Sequence, residues 1–122
     1  MILADSSIWI DHLHKTDARL VALLINGQIQ VHPHVIGGLA LGSIRKREEF
    51  LDMLVRLPMA FPASHGEVLS LVEQKKLYAR GIGYSDAHLI TSSLLTPGTS
   101  LWTRDRRLAD VARELGTLAE IT

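Results

Sequence analysis

The stretch Ile2-Leu3-Ala4-Asp5-Ser6-Ser7 decides how this chain is read. Three apolar residues reach a carboxylate, and two serines that can cap a helix follow at once. The expected helix runs to about His14, with Ile8, Trp9 and Leu13 on its apolar side. A short buried strand feeding directly into a helix is the opening of an α/β unit. The same pattern returns near the other end. Ser100-Leu101-Trp102-Thr103-Arg104-Asp105 is a strand-like run ending on a carboxylate, and Asp105 to Leu115 is an amphipathic helix closed by Gly116.

Between these two units the punctuation is regular. Asp17 caps a helix through Leu20, Leu23 and Leu24, stopped by Asn26-Gly27. Residues 29–31 form a second strand. Pro33 suits the first turn of a helix expected to run to Ile44, and Glu48 to Leu57 continues as another, ending at Pro58. Residues 58–62 have room for a brief strand. Ser64 and Glu67 make a capping box. Gly81 and Gly83 break the chain, and Ser85 is expected to cap the apolar helix that carries Asp86 in its first turn. Residues 118–121 suit a last strand. Strands alternating with helices predict one α/β domain over 1–122, with a central parallel sheet of about four to five short strands and helices on both faces.

In such a sheet, strand ends and the helix starts that follow them line one crevice. Asp5, Asp86 and Asp105 all fall at such positions. Two carboxylates about 4 Å apart repel by roughly 4 kcal/mol at an effective dielectric near 20. Three in one crevice call for protonation or a shared cation. All-oxygen ligation points to a hard ion, Mg²⁺ or Mn²⁺. Such an ion suits phosphodiester hydrolysis. Each aspartate alone also reads as an ordinary helix N-terminal residue favoured by the dipole.

Composition narrows the alternatives. The 122 residues include no cysteine, which removes disulfides and thiolate metal sites and fits a cytoplasmic location. No apolar run approaches a membrane span, and no basic region followed by a long apolar stretch opens the chain. Thirteen basic and thirteen acidic residues cancel, so bulk electrostatic coating of nucleic acid is not expected. Local basic clusters remain, and Arg104, Arg106 and Arg107 bracket Asp105 as candidates for guiding a nucleic-acid backbone. Trp9 and Trp102 read as core residues first and stacking residues second. His32 and His34 flank a helix start but lack further ligands at a familiar spacing. His88, two residues after Asp86, is expected to point away from it. Neither a G-x-S-x-G elbow nor a P-loop occurs.

Taken together, four segments resemble the PIN-domain family, and within it the VapC toxins of bacterial toxin–antitoxin pairs. They are Ile2 to Asp11, His32 to Gly42, Gly81 to Leu89 and Leu101 to Leu108, so the resemblance covers essentially the whole chain. It implies a PIN-like three-layer fold and a Mg²⁺- or Mn²⁺-dependent endoribonuclease that cuts tRNA, rRNA or mRNA. It also implies a homodimer and a cognate VapB-type antitoxin lying over the active site, with operator DNA bound only through that antitoxin. By position, Asp5 and Asp86 match the metal-binding aspartates, and Asp105 matches the later aspartate of a Thr-x-Asp motif. Ser6 and Thr103 match hydroxyl positions that place water or phosphate.

One position departs. The family's second acidic residue, a glutamate, belongs where this chain has Gly38. A helix through 33–44 places 34, 38, 41 and 45 on one side, facing the crevice. Gly38 follows Gly37, and a glycine within a helix costs about 1 kcal/mol relative to alanine. Three explanations stand: replacement of an ancestral glutamate, a naturally weakened toxin, or a compensating carboxylate from Asp11 or the antitoxin. In the first two the fold and partner binding persist while metal affinity and cleavage fall. The rival from another class is a non-catalytic module that binds its antitoxin or self-associates.

Overall fold

The structure is a computed structural model describing residues 1–121; Thr122, the last residue of the expected domain, lies outside them. Among the described residues are strands β1 (Ile2–Ala4), β2 (Ile29–Gln30) and β3 (Ser100–Trp102). Helices α1 (Ser6–His14) and α2 (Ala18–Ile25) separate the first two strands. Then come α3 (Pro33–Ala40), α4 (Arg47–Arg56), α5 (His65–Lys75) and α6 (Tyr84–Leu95), and α7 (Arg106–Glu114) follows β3.

The sheet is parallel throughout, in the order β2-β1-β3. Leu3 and Ala4 are each fully buried, as are Leu101 and Trp102 to within 1%. Successive strand residues point to opposite faces. Burial of both neighbours therefore means that both faces are covered, as the α/β reading requires.

The regular sheet has three strands, fewer than the four to five expected. The two expected edge strands survive as single parallel bridges, Val31 with Met59 and Leu101 with Leu118. Each is held by two backbone bonds. Val31 donates to Pro58 and Ala60 donates to Val31; Leu101 donates to Thr117 and Ala119 donates to Leu101. Pro58 and Pro62 lack the N–H that a longer ladder needs.

The core joins Leu3, Ile8, Trp9, Leu20, Val31, Leu54, Ile90, Leu101, Trp102 and Leu108. Both tryptophans lie in it, with Trp9 edge-on to Phe50 at 5.9 Å between ring centroids. Helix α6 is buried over the unbroken run from Ala87 to Ser93, and its hydroxyls pair inside, while His88 Nδ1 has no hydrogen-bond partner. Thr91 Oγ1 donates to Ala87 O at 2.7 Å, Ser92 Oγ meets His32 Nε2 at 3.0 Å, and Ser93 Oγ meets Thr117 Oγ1 at 2.8 Å. No helix of the described residues is long and apolar enough to cross a membrane.

Helix α3 stops at Ala40 rather than Ile44. Leu41 and Gly42 close it, and Lys46 then takes a left-handed conformation (φ 52°) before α4. Positions 41 and 45 therefore do not extend the face that carries 34 and 38.

Candidate active site

Asp5 is the residue around which the site is built. It follows the buried end of β1, with only 5% of its surface exposed, and it caps α1. That cap was expected from Ser6 or Ser7. The carboxylate takes the position instead because an ionised acceptor at a helix N-terminus gains from both the free N–H groups and the dipole. Oδ1 accepts from Ser7 N at 2.9 Å, Ser7 Oγ at 2.5 Å and Ile8 N at 3.4 Å. Oδ2 accepts from Thr103 Oγ1 at 2.5 Å. Burial raises the Asp5 pKa above the ordinary carboxylate value, opposed by the bonds from Ser7, Thr103 and Ile8.

The two ends of the chain are locked together through this carboxylate. Thr103 Oγ1 donates to Asp5 and accepts from Asp105 N at 3.0 Å. Ser7 Oγ donates to Asp5 and accepts from Arg104 N at 3.0 Å. Thr103 thus positions Asp5 directly, and Ser7 does so equally. Ser7 was read only as a possible cap. Its side-chain role depends on β3 lying beside β1, a contact 97 residues apart in sequence.

Asp86 sits in the first turn of α6, half-buried, and its Oδ2 accepts from Gly83 N at 3.2 Å. The residue capping α6 is Gly83, not Ser85. Asp86 reaches back to satisfy its N–H, while Ser85 Oγ turns to His34 Nδ1 at 2.9 Å. Burial raises the pKa of Asp86, and the charge of Asp105 adds to that rise. Asp105 caps α7 through Leu108 N at 3.0 Å and remains at the surface.

Asp5, Ser6, His34, Ser85 and Asp86 share a small cavity of about 60 Å³. Asp5 and Asp86 thus come to one place as expected. Asp105 does not line that cavity, but it is near enough for its charge to reach Asp86. Among the described residues no three His, Asp or Glu side chains are gathered as a ready cation cluster. Gly38 lines not this cavity but the groove next to it. A Cβ built on it meets only Ser6 Oγ, at an ordinary 3.9 Å, so a side chain there has room beside Ser6.

The arginines are divided. Arg104 is committed to Asp11 at 2.8 Å and Asp17 at 2.5 Å, and its guanidinium carbon stands 5.5 Å from the centre of the Trp102 ring. It braces α1 and α2 against the start of α7, and it holds Asp11 on that brace. Arg107 lies against Gly81, where an added Cβ would come within 2.6 Å of its Nη1. Arg106 is exposed.

The histidines form a cluster that the sequence did not reveal. His32 is buried, its Nδ1 accepting from His34 N at 3.0 Å, and burial lowers its pKa to about 4. His88 is buried as well, its ring 4.3 Å from that of His34.

Beside Gly38 runs a groove of about 330 Å³, walled by Ile10, Leu13, Leu39 and Ile44. A larger hollow of about 510 Å³, between α5 and α6, contains none of the aspartates.

No family model matches the chain. Curated relatives do. Ribonuclease VapC32 of Mycobacterium tuberculosis, from strain CDC 1551 / Oshkosh and again from strain ATCC 25618 / H37Rv, is 49% identical over 121 residues, covering 98% of this chain and 98% of the relative. Identity of that level over the full length, on a parallel α/β frame that brings Asp5 and Asp86 together, places the chain in the VapC family of PIN-domain ribonuclease toxins.

Proposed function

We propose that the protein is the toxin of a toxin–antitoxin pair, an endoribonuclease that hydrolyses RNA phosphodiester bonds with Mg²⁺ or Mn²⁺. Its activity is lowered by the glycine at position 38. The observation that carries this reading is the shared cavity of Asp5 and Asp86. Asp5 is buried there and Asp86 half-buried, both with raised pKa values, brought together by helix starts 81 residues apart in the chain.

The carboxylate oxygens of Asp5 and Asp86 fit a hard divalent cation in kind; His34 is the one nitrogen donor on the cavity and is bonded to Ser85, and Gly38 next to it has room for one more carboxylate. Asp5 and Asp86 would hold the ion, with Asp105 acting through a second ion or a water. Bound there, such an ion supplies a water of lowered pKa and polarises a phosphate oxygen. The chain's own residues do the placing. Thr103 and Ser7 fix both Asp5 oxygens, so the carboxylate meets its ligand in one orientation. Ser6, on the cavity wall, is placed to hold a water or a phosphate oxygen. In the reaction a water oxygen bonds to phosphorus, one P–O ester bond breaks, and the departing oxygen takes up a proton. Arg106 and Arg107 are the remaining basic residues for the RNA backbone, because Arg104 is engaged elsewhere.

A cognate VapB-type antitoxin is the expected partner. The groove beside Gly38, walled by Ile10, Leu13, Leu39 and Ile44, offers an apolar seat next to the site. A homodimer, operator contact through the antitoxin alone and a cytoplasmic location complete the proposal.

The non-catalytic reading draws on the empty position 38 and on the lack of a three-ligand cluster among the described residues. Total RNA incubated with Mn²⁺ separates the two. Cleavage by this chain that strengthens in Gly38→Glu supports the enzyme, whereas no product from either protein supports the interaction module.

A further inference from the structure

Four rings from three helix starts meet beside the carboxylate cavity. Tyr84 opens α6, His65 opens α5, His34 sits in the first turn of α3, and His88 follows Tyr84 by one turn. The Tyr84 ring stands 4.6 Å edge-on to His88, 5.5 Å from His65 and 6.2 Å from His34, measured between centroids. Its hydroxyl is hydrogen-bonded to His65 Nδ1 at 2.5 Å. The ring is therefore fixed, yet 46% of the residue remains exposed. An aromatic ring held on three sides and left open on another costs little entropy when a flat ligand settles on it.

The ring lines one hollow and lies next to a residue of another. On one side His34, which touches Tyr84, also walls the cavity of Asp5 and Asp86. On the other, Tyr84 and Tyr78 wall an open hollow of about 210 Å³, whose floor includes Gly83, the residue whose N–H Asp86 holds. A ligand lying over the carboxylates thus has an aromatic shelf next to it. Electrostatics give that shelf work to do. The chain is neutral overall, its cavity is acidic, and Arg104 is tied to Asp11 and Asp17. With Arg104 engaged, a base contact would add to the backbone attraction left to Arg106 and Arg107.

We infer that Tyr84, steadied by His65 and His88, is a stacking platform for an unpaired RNA base next to the scissile phosphate, with His34 marking the passage between base and phosphate. The inference rests on the ribonuclease reading above. Stacking is how proteins hold single strands when they do not read them by charge, and removing one platform ring typically weakens binding about tenfold.

The test uses the intact protein and a fluorescently labelled single-stranded RNA of mixed sequence. Binding is read by anisotropy in EDTA, so that nothing is cut. Tyr84→Ala should weaken binding about tenfold, and Tyr84→Phe, which keeps the ring, should stay within about twofold. An abasic site moved along the strand should reproduce the loss at one position only, and there Tyr84→Ala should add nothing. Equal binding by Tyr84→Ala and the parent, equal abasic effects at every position, or no RNA binding at all would overturn the inference. So would a loss confined to binding of a protein partner. Thermal melts of both variants separate misfolding from lost contact. Cleavage with Mn²⁺ is read separately. Tyr84-dependent binding without cleavage keeps the platform and removes the catalytic reading. Cleavage with an unchanged KM in Tyr84→Ala does the reverse.

Discussion

The two sides of Ser6, the carboxylate cavity at Asp5 and the glycine wall of α3, are built to different standards. On the β1 side Asp5 is 5% exposed and accepts four hydrogen bonds, two of them from hydroxyls that also accept backbone N–H groups of the β3–α7 link. On the α3 side Gly37 and Gly38 are exposed, with nothing but Ser6 Oγ in reach of a Cβ at 38. On the proposed reading, the difference teaches that one wall holds a fixed carboxylate ready for an ion, while the other has room for a side chain it lacks.

Removing the well-built corner gives the largest effect. Asp5→Asn keeps the cap, because asparagine also accepts at an N-cap, but it removes the charge. Cleavage should fall at least about 100-fold, and Mn²⁺ should no longer raise the melting temperature. Metal-free stability should hold or rise at neutral pH. A buried carboxylate with a raised pKa is most favourable to folding below its unfolded pKa, and it loses that contribution as pH rises through its folded value. Unchanged cleavage in this variant would dissolve the contrast between the walls.

Thr103→Val tests whether the hydroxyl matters beyond its shape. It frees one Asp5 oxygen and leaves Asp105 N without its acceptor. Metal affinity should drop about tenfold, the lower end of the range for supporting bonds, as read by calorimetry.

The head of the poorer wall is anchored by neutral His32, bonded to Ser92. Its pKa is depressed to about 4, so the folded state resists protonation while the unfolded chain does not. The stability it contributes is full above about pH 6.5 and is lost as pH falls towards 4. By pH 5 the loss is about 2 kcal/mol. Denaturant melts at pH 7 and pH 5 should show that loss in the parent and not in His32→Gln.

Gly38→Ala gives the smallest change. It adds no ligand and meets no clash, so it should raise stability by about 0.5–1 kcal/mol and leave Mn²⁺ affinity unaltered.

Much of this was legible in sequence because it is local. Asp17, Ser64 with Glu67, and the strand ends at Asp5 and Asp105 declare themselves within four residues. What was hidden depends on distant partners. Ser7 acquires its role only when β3 lies beside β1, and Arg104 pairs with Asp11 and Asp17, 93 and 87 residues away in the chain. The ring cluster needs α3, α5 and α6 to converge. Competition misled the cap assignments. Serines stood at both expected positions, but Asp5 caps α1 itself, and Asp86 satisfies Gly83 from within the first turn of α6. The sheet edge at 58–62 came out shorter because two prolines interrupt it.

The central claim is that position 38 is an empty ligand position on an otherwise prepared site. Calorimetric titration of Mn²⁺ into the metal-free protein and into Gly38→Glu tests it most directly. A third carboxylate should tighten binding at least about tenfold, roughly 1.4 kcal/mol, with the fold unchanged. Equal affinity in the two proteins would contradict the account.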